Sequence, residues 1–339
     1  MQKQPIFIVS TGRCGSTLLS SILNENHNLL SLSEFFVSLH PDAFQDRELD
    51  GKEFWDMIGR PNPLVTLMNQ NNLGAPEILN SSKEPIPPMQ LITLPQLTKD
   101  VDLVFQKMKE DIIRMNQTNL STQYLNLFAW MCRYFKRKIW VERSGMSLQY
   151  INTLVELFPD AKFIHLFRDG MECAMSMSRH HVFRLMLIQM MAQERIGIDP
   201  YANHIQEERL AKLDQFANLI PQQFDIQAYL DYHIPIEQFG KMWSNLIMSG
   251  VKNLNRIPSD HLLIVRYEDL LENPRGEIKR VMTFIDDDFD DHSVVEKAVT
   301  LVRTDKPLSW IHLNEDEKNR LSNECAIGMR LLRNYSKQK

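Results

Sequence analysis

Short, nearly continuous apolar runs recur along this 339-residue chain, each followed by a polar turn, and most of those turns lead into residues at helical spacing. The runs are Pro5–Val9, Leu29–Ser33, Lys138–Val141, Lys162–Phe167 and Leu262–Val265. Runs of four to six residues without strict alternation predict strands buried on both faces, as in a parallel sheet covered by helices. Helices are expected from about Ser16 to Asn24, at Asp100–Met115, Ser121–Phe135 and Leu148–Leu157, around Met171–Met177, and at Pro274–Ile285. Strand, polar turn and helix in repetition is the pattern of a parallel α/β fold. The unit Lys138–Phe167 predicts a right-handed crossover between parallel strands.

Two stretches interrupt this pattern. Residues 40–100 carry prolines at 41, 61, 63, 76, 85, 87, 88 and 95, too many breakers for a central sheet. Trp55, Met57 and Met68 look exposed there, and the stretch reads equally as a partly helical cover forming an acceptor pocket or as a surface insertion. Residues 180–257 are helical and rich in methionine, including Met186, Met190, Met191, Met242 and Met248, which suits core filling. The expected organisation is one domain over 1–339, with helical insertions at 40–125 and 180–257 on the acceptor side.

Composition narrows the class. With 43% hydrophobic and 24% charged residues the chain is an ordinary globular one. Its net charge of -5 speaks against nucleic-acid binding, so any basic site must be local. No apolar run reaches membrane-spanning length and only a few polar residues precede the first strand, so a cytoplasmic location is expected. Cys14, Cys132, Cys173 and Cys325 form no C-x-x-C pair, which fits reduced thiols. His180 and His181 lack further ligands at metal spacing, and His165, inside an apolar strand, reads as a core residue.

The chemistry gathers at the strand ends. Between the first strand and helix lies Ser10–Ser16, where Gly12 and Gly15 let the backbone turn its N–H groups inward and the helix offers its positive end to an anion. The glycines are three apart and no lysine follows them, so this is not a Walker A loop. The cation is Arg13, whose planar fork suits an oxyanion. Taken alone, the stretch is either a phosphate loop or a strand-to-helix turn with a capping serine. Arg143 and Ser144, Arg168, and Tyr267 follow later strands, the position where ligands collect in parallel sheets. Glu34-Phe35-Phe36, after the second strand, suggests an acid beside an aromatic pocket wall.

These blocks, STGRCGSTLL with SEFF, FPDAKFIHLFRDGMECAMSMS and RYEDLLENP, resemble the sulfotransferases that use 3′-phosphoadenosine 5′-phosphosulfate (PAPS). The nearest likeness is to the branch with a glutamate base, which includes tyrosylprotein and bacterial carbohydrate sulfotransferases. The resemblance implies a P-loop-like α/β fold and sulfuryl transfer from PAPS to a hydroxyl, leaving adenosine 3′,5′-bisphosphate. It places Arg13, Cys14, Gly15, Ser16 and Thr17 on the 5′-phosphosulfate, Arg168 and Ser176 on the 3′-phosphate, and Tyr267 near the adenine. Glu34 becomes the general base, with Arg13 and Arg143 stabilising charge, and no metal is required. Arg303, Thr304, Lys306 and Trp310 match the family's C-terminal donor segment only loosely. The expected acceptor is a small hydroxyl compound: an apolar alcohol, a phenol or a saccharide. An ATP-dependent small-molecule kinase and a non-catalytic nucleotide-binding scaffold are the alternatives.

Overall fold

The computed structural model describes residues 4–39, 41–74, 84–201, 204–303 and 308–336. Its first strands and α-helices are β1 (Ile6–Val9), α1 (Ser16–Asn24), β2 (Leu29–Ser33), the two-residue β3 (Glu48–Leu49) and α2 (Gly51–Ile58). They are followed by α3 (Pro63–Gln70), α4 (Val101–Ile112), β4 (Thr118–Asn119), α5 (Leu120–Tyr134) and β5 (Ile139–Ser144). Then come α6 (Ile151–Leu157), β6 (Lys162–Phe167), α7 (Gly170–Ser178), α8 (His181–Ile196) and, after further helices, β7 (Leu262–Arg266).

Five of these strands form a parallel sheet in the order β2-β5-β1-β6-β7, while β3 and β4 pair separately as a short antiparallel ladder. The five predicted runs are the five sheet strands. β1 lies at the centre, so β5 and β6, which end the expected strand–helix–strand unit, flank β1 without pairing with each other. The chain goes from β1 to one side of the sheet and later returns to the other, which opens a crevice beyond the carboxyl end of β1. The Ser10–Gly15 turn occupies that end.

The apolar runs are buried because helices cover both faces. Every residue of β1 is at most 1% exposed, and Phe7 packs against Phe36, Trp140, Phe158 and Phe163. Below β1, α1 buries Leu19, Ile22 and Leu23 at helical spacing. One set of mutually packed buried residues runs from Ile6 to Tyr335.

Three readings need correction. Trp55 and Met57 are buried, at 5% and 2% exposure, because the apolar face of α2 turns inward, where Phe54 meets Tyr124 and Trp55 meets Phe105; Met68, on α3, is buried as well, at 1%. Phe35 and Phe36 are not a pocket wall; both lie in the core against Tyr124 and Phe128. The methionines of 180–257 are core filler only in part, since Met242 is buried while Met190 and Met248 are exposed. The Pro76 position falls outside the described residues.

Candidate active site

Ser10–Gly15 is held in shape by its neighbours. Gly12 N–H donates to Ser10 Oγ, Ser10 N–H to Ser147 Oγ, and Leu148 N–H to the Ser10 carbonyl. Gly12 (φ 79°), Arg13 (φ 58°) and Gly15 (φ 96°) all adopt left-handed backbone. Glycine is required at 15 for a second reason: a Cβ there would lie 2.1 Å from Cδ2 of the Tyr267 ring. As the N-cap of α1, Gly15 brings no side-chain acceptor, so the first-turn amides of that helix are not capped from this position.

Loop and strand ends face a single cavity of about 380 Å³. Arg13, Gly15, Ser16, Thr17, Glu34, Arg143, Arg168 and Ser176 all line it. Arg13 Nε donates to Ser176 Oγ at 3.1 Å, so the loop cation reaches two turns into α7. Arg168 Nη2 donates to Glu172 Oε2 at 2.6 Å, and its guanidinium lies 4.7 Å from the centre of the Tyr267 ring.

Arg143 is the most constrained of the three arginines. Strand β5 continues through Ser144 rather than stopping at Val141, which carries Arg143 inward to 3% side-chain exposure. There Nη1 donates to Glu34 Oε1 (2.8 Å) and Ser16 Oγ (3.3 Å), and Nη2 to Ser33 Oγ (2.8 Å). Its Nε is buried with no hydrogen-bond partner among the described residues. Glu34 has φ 55°; its N–H donates to the Arg143 carbonyl at 2.7 Å and its Oε2 accepts the Gly145 N–H at 2.7 Å. Backbone and carboxylate are therefore both tied to the end of β5, and 20% of the Glu34 side chain is exposed.

Beneath this pair lies Glu142, 1% exposed. Its Oε1 accepts from Ser144 Oγ and from the Phe36 N–H, while Ser144 Oγ accepts the Val37 N–H. Burial pushes the Glu142 carboxyl up to about 8; the Ser144 and Phe36 hydrogen bonds and the Arg143 charge oppose this without overcoming it.

Some predicted residues fall elsewhere. The Cys14 side chain is fully buried outside the cavity, so only its backbone is available to a ligand there. Ser144 faces Glu142, not the cavity. Tyr267 does not line the cavity; its ring packs between Gly15 and Arg168. His165 is fully buried, finds no hydrogen-bond partner for either ring nitrogen, and burial lowers it to about 4. Arg303 is exposed, and Thr304 and Lys306 lie outside the described residues. Among the described residues of that region, Ser309 donates its N–H and Oγ to Glu172, the ion-pair partner of Arg168. The sequence reading missed Ser33, Gly145 and Asn62, whose roles arise from contacts between distant segments.

No curated protein sequence matches the chain. In fold it is similar to the sulfotransferase domain from the Synechococcus PCC 7002 olefin synthase, with a TM-score of 0.47 and 15% identity, covering 99% of this chain and 95% of that one. Sulfotransferase STF9 from Mycobacterium avium gives 0.48 at 14% identity over 96% and 76% of the two chains. The sulfotransferase from Alicyclobacillus acidocaldarius gives 0.42 at 15% over 98% and 95%. A model of the sulfotransferase family matches residues 5–227, the span holding the glycine loop, Glu34, Arg143, Arg168 and Ser176. The chain belongs to the sulfotransferase family.

Proposed function

We propose that the protein transfers the sulfuryl group of PAPS to the hydroxyl of a small acceptor, with Glu34 as general base. The observation that carries this reading is the convergence of Glu34, Arg13, Arg143 and Arg168 with the left-handed glycine loop on one cavity. The residues fit a polyanionic donor: three guanidiniums face the cavity, and the buried Nε of Arg143 lacks an acceptor among the described residues. Ser16, Thr17 and the first amides of α1 would hold the 5′ end, and Arg168 with Ser176 the 3′-phosphate. The Tyr267 ring supports Arg168 and closes the outer side of Gly15.

When bound, the donor supplies a sulfuryl group on a phosphate leaving group. Glu34 takes the acceptor proton as the hydroxyl oxygen bonds to sulfur and the sulfur–phosphate oxygen bond breaks. Arg143 and Gly145 both hydrogen-bond the Glu34 carboxylate and so orient it toward the cavity. A base so positioned contributes roughly 10²–10⁴-fold. Arg143 and Arg13 meet negative charge developing on the sulfuryl oxygens and the bridging oxygen, in a site partly shielded from water. The segments 40–125 and 180–257 complete the acceptor side through residues such as Leu64 and Met186.

The test uses thermal shift and a labelled-sulfuryl transfer assay together. Adenosine 3′,5′-bisphosphate should stabilise the protein more than ATP with magnesium does, and Glu34→Ala should keep that shift while losing transfer. A fully active Glu34→Ala variant removes the base assignment, and preferential stabilisation by ATP with magnesium removes the donor assignment.

A further inference from the structure

We propose that the acceptor is a neutral, mostly apolar alcohol or phenol whose reacting hydroxyl is its main hydrogen-bonding group. The inference rests on the sulfuryl-transfer reading and concerns the half of the cavity that the donor groups do not occupy. The charged side chains lining the cavity are Arg13, Glu34, Arg143 and Arg168, all on the glycine loop or at strand ends. The remaining wall is mainly apolar, built from residues such as Val37, Leu64, Val65, Met68, Ile92 and Val182, with Ser38, Asn62, Gln149, Tyr150 and His180 as its polar members.

Two of those polar side chains, Asn62 and Ser38, are committed to the protein's own backbone. Asn62 caps α3: its Oδ1 accepts from the N–H groups of Leu64 and Val65, and its Nδ2 donates to the Ser38 carbonyl. Ser38 Oγ donates to the Phe35 carbonyl. The Tyr150 ring is stacked on Phe44 at 4.7 Å between centroids. Val65, Leu91 and Ile92 form a small apolar cluster apart from the main core, and Val65 and Ile92 turn toward the cavity. The turn carrying Ile92 is pinned beside the site by Thr93 Oγ1, which donates to the Ser33 carbonyl at 3.0 Å.

A saccharide has a polar group on nearly every carbon, more than the few polar members of this wall can meet, and each one buried against its apolar part loses water without gaining a partner. An alcohol or phenol with one hydroxyl places that group at Glu34 and its hydrocarbon on the wall. Met68 and Met186, being flexible and polarisable, let the wall accept more than one hydrocarbon shape.

The experiment compares 1-octanol, 4-butylphenol and methyl β-D-glucopyranoside as acceptors of labelled sulfuryl from PAPS, with calorimetric titration of each into the protein loaded with adenosine 3′,5′-bisphosphate. We expect kcat/KM for the alcohol and the phenol to exceed that of the glucoside by at least about 100-fold, the discrimination typical of an apolar pocket against a hydroxyl. Met68→Gln should raise KM for 1-octanol about tenfold and leave bisphosphate binding unchanged. Sulfation of the glucoside at equal or greater efficiency overturns the apolar acceptor while the sulfotransferase reading stands. Calorimetric binding of 4-butylphenol without transfer to any acceptor supports the apolar site and removes the catalytic reading. Absence of both binding and transfer for the alcohol and the phenol overturns the inference.

Discussion

Glu34 and Arg143 are 109 residues apart in sequence, yet the Glu34 carboxylate lies 2.8 Å from the Arg143 guanidinium and the Glu34 N–H donates to the Arg143 carbonyl. The arginine is almost wholly buried and its Nε already lacks a partner among the described residues, so the carboxylate is its principal counter-charge.

Removing only the acid should therefore destabilise the protein. Glu34→Ala leaves a buried cation uncompensated, at a cost on the order of 2–4 kcal/mol, somewhat below a fully buried pair because Glu34 is partly exposed. Replacing both residues, as Glu34→Ala with Arg143→Met, should recover part of that loss. Urea unfolding of the two single variants and the double measures the coupling. Strict additivity of the three would show that the ion pair does not contribute.

Arg168→Ala should weaken adenosine 3′,5′-bisphosphate about 10- to 100-fold and adenosine 5′-monophosphate hardly at all, since a hydrogen bond to a charged group is worth about 1.5–3 kcal/mol. The variant should be less stable, because the buried Glu172 loses its counter-charge and keeps only the Ser309 N–H and Oγ among these donors, so binding is measured well below its unfolding temperature. Calorimetry with the two nucleotides decides the matter. Equal losses would mean that Arg168 does not read the 3′-phosphate.

Gly15→Ala should be among the most damaging single-methyl additions in the chain. The backbone is left-handed at φ 96°, and the new Cβ would collide with the Tyr267 ring. The expected loss exceeds about 1 kcal/mol from the backbone alone. It should be partly relieved by Tyr267→Ala, which removes the clash but not the strain. Chemical denaturation of both proteins checks this; an unchanged Gly15→Ala midpoint would contradict the packing.

Stability should fall as pH rises from about 6.5 to about 8. Glu142 keeps its proton in the fold up to about 8, whereas the unfolded chain releases it near the ordinary glutamate value, so the folded state holds one more proton in between. That contribution is complete below the ordinary value and is lost as pH passes the raised one, at no more than about 1.4 kcal/mol per pH unit. His165, lowered to about 4, acts in the opposite sense, but only up to its ordinary value near 6.5. Unfolding midpoints at pH 6.5 and 8.5 should differ for the parent and converge in Glu142→Gln. A Gln variant with the parent's slope would assign the dependence to another group.

Five strands and most helices were legible because apolar period is a local property. Helix Pro274–Ile285 has the predicted ends, and Arg168 does close a strand. The register at Glu142 and Arg143 was not legible: charged residues read as a turn, and they continue β5 only because Ser144 and the Phe36 N–H satisfy Glu142 while Glu34, Ser16 and Ser33 satisfy Arg143. The inward face of α2 was equally hidden, since its burial depends on α4 and α5 lying behind it.

By itself the sequence determined the parallel α/β class and the glycine loop through local pattern, and it marked Glu34, Arg13, Arg143 and Arg168 as candidates at the ends of strands. Only the tertiary structure decided that Glu34 is locked to Arg143 and Gly145, that Tyr267 supports Arg168 from outside the cavity, and that α3 and the turn at Ile92 supply an apolar wall. The reason is physical. Each of these is a contact between segments far apart in the chain, made possible because a sheet ordered β2-β5-β1-β6-β7 brings their ends to one edge.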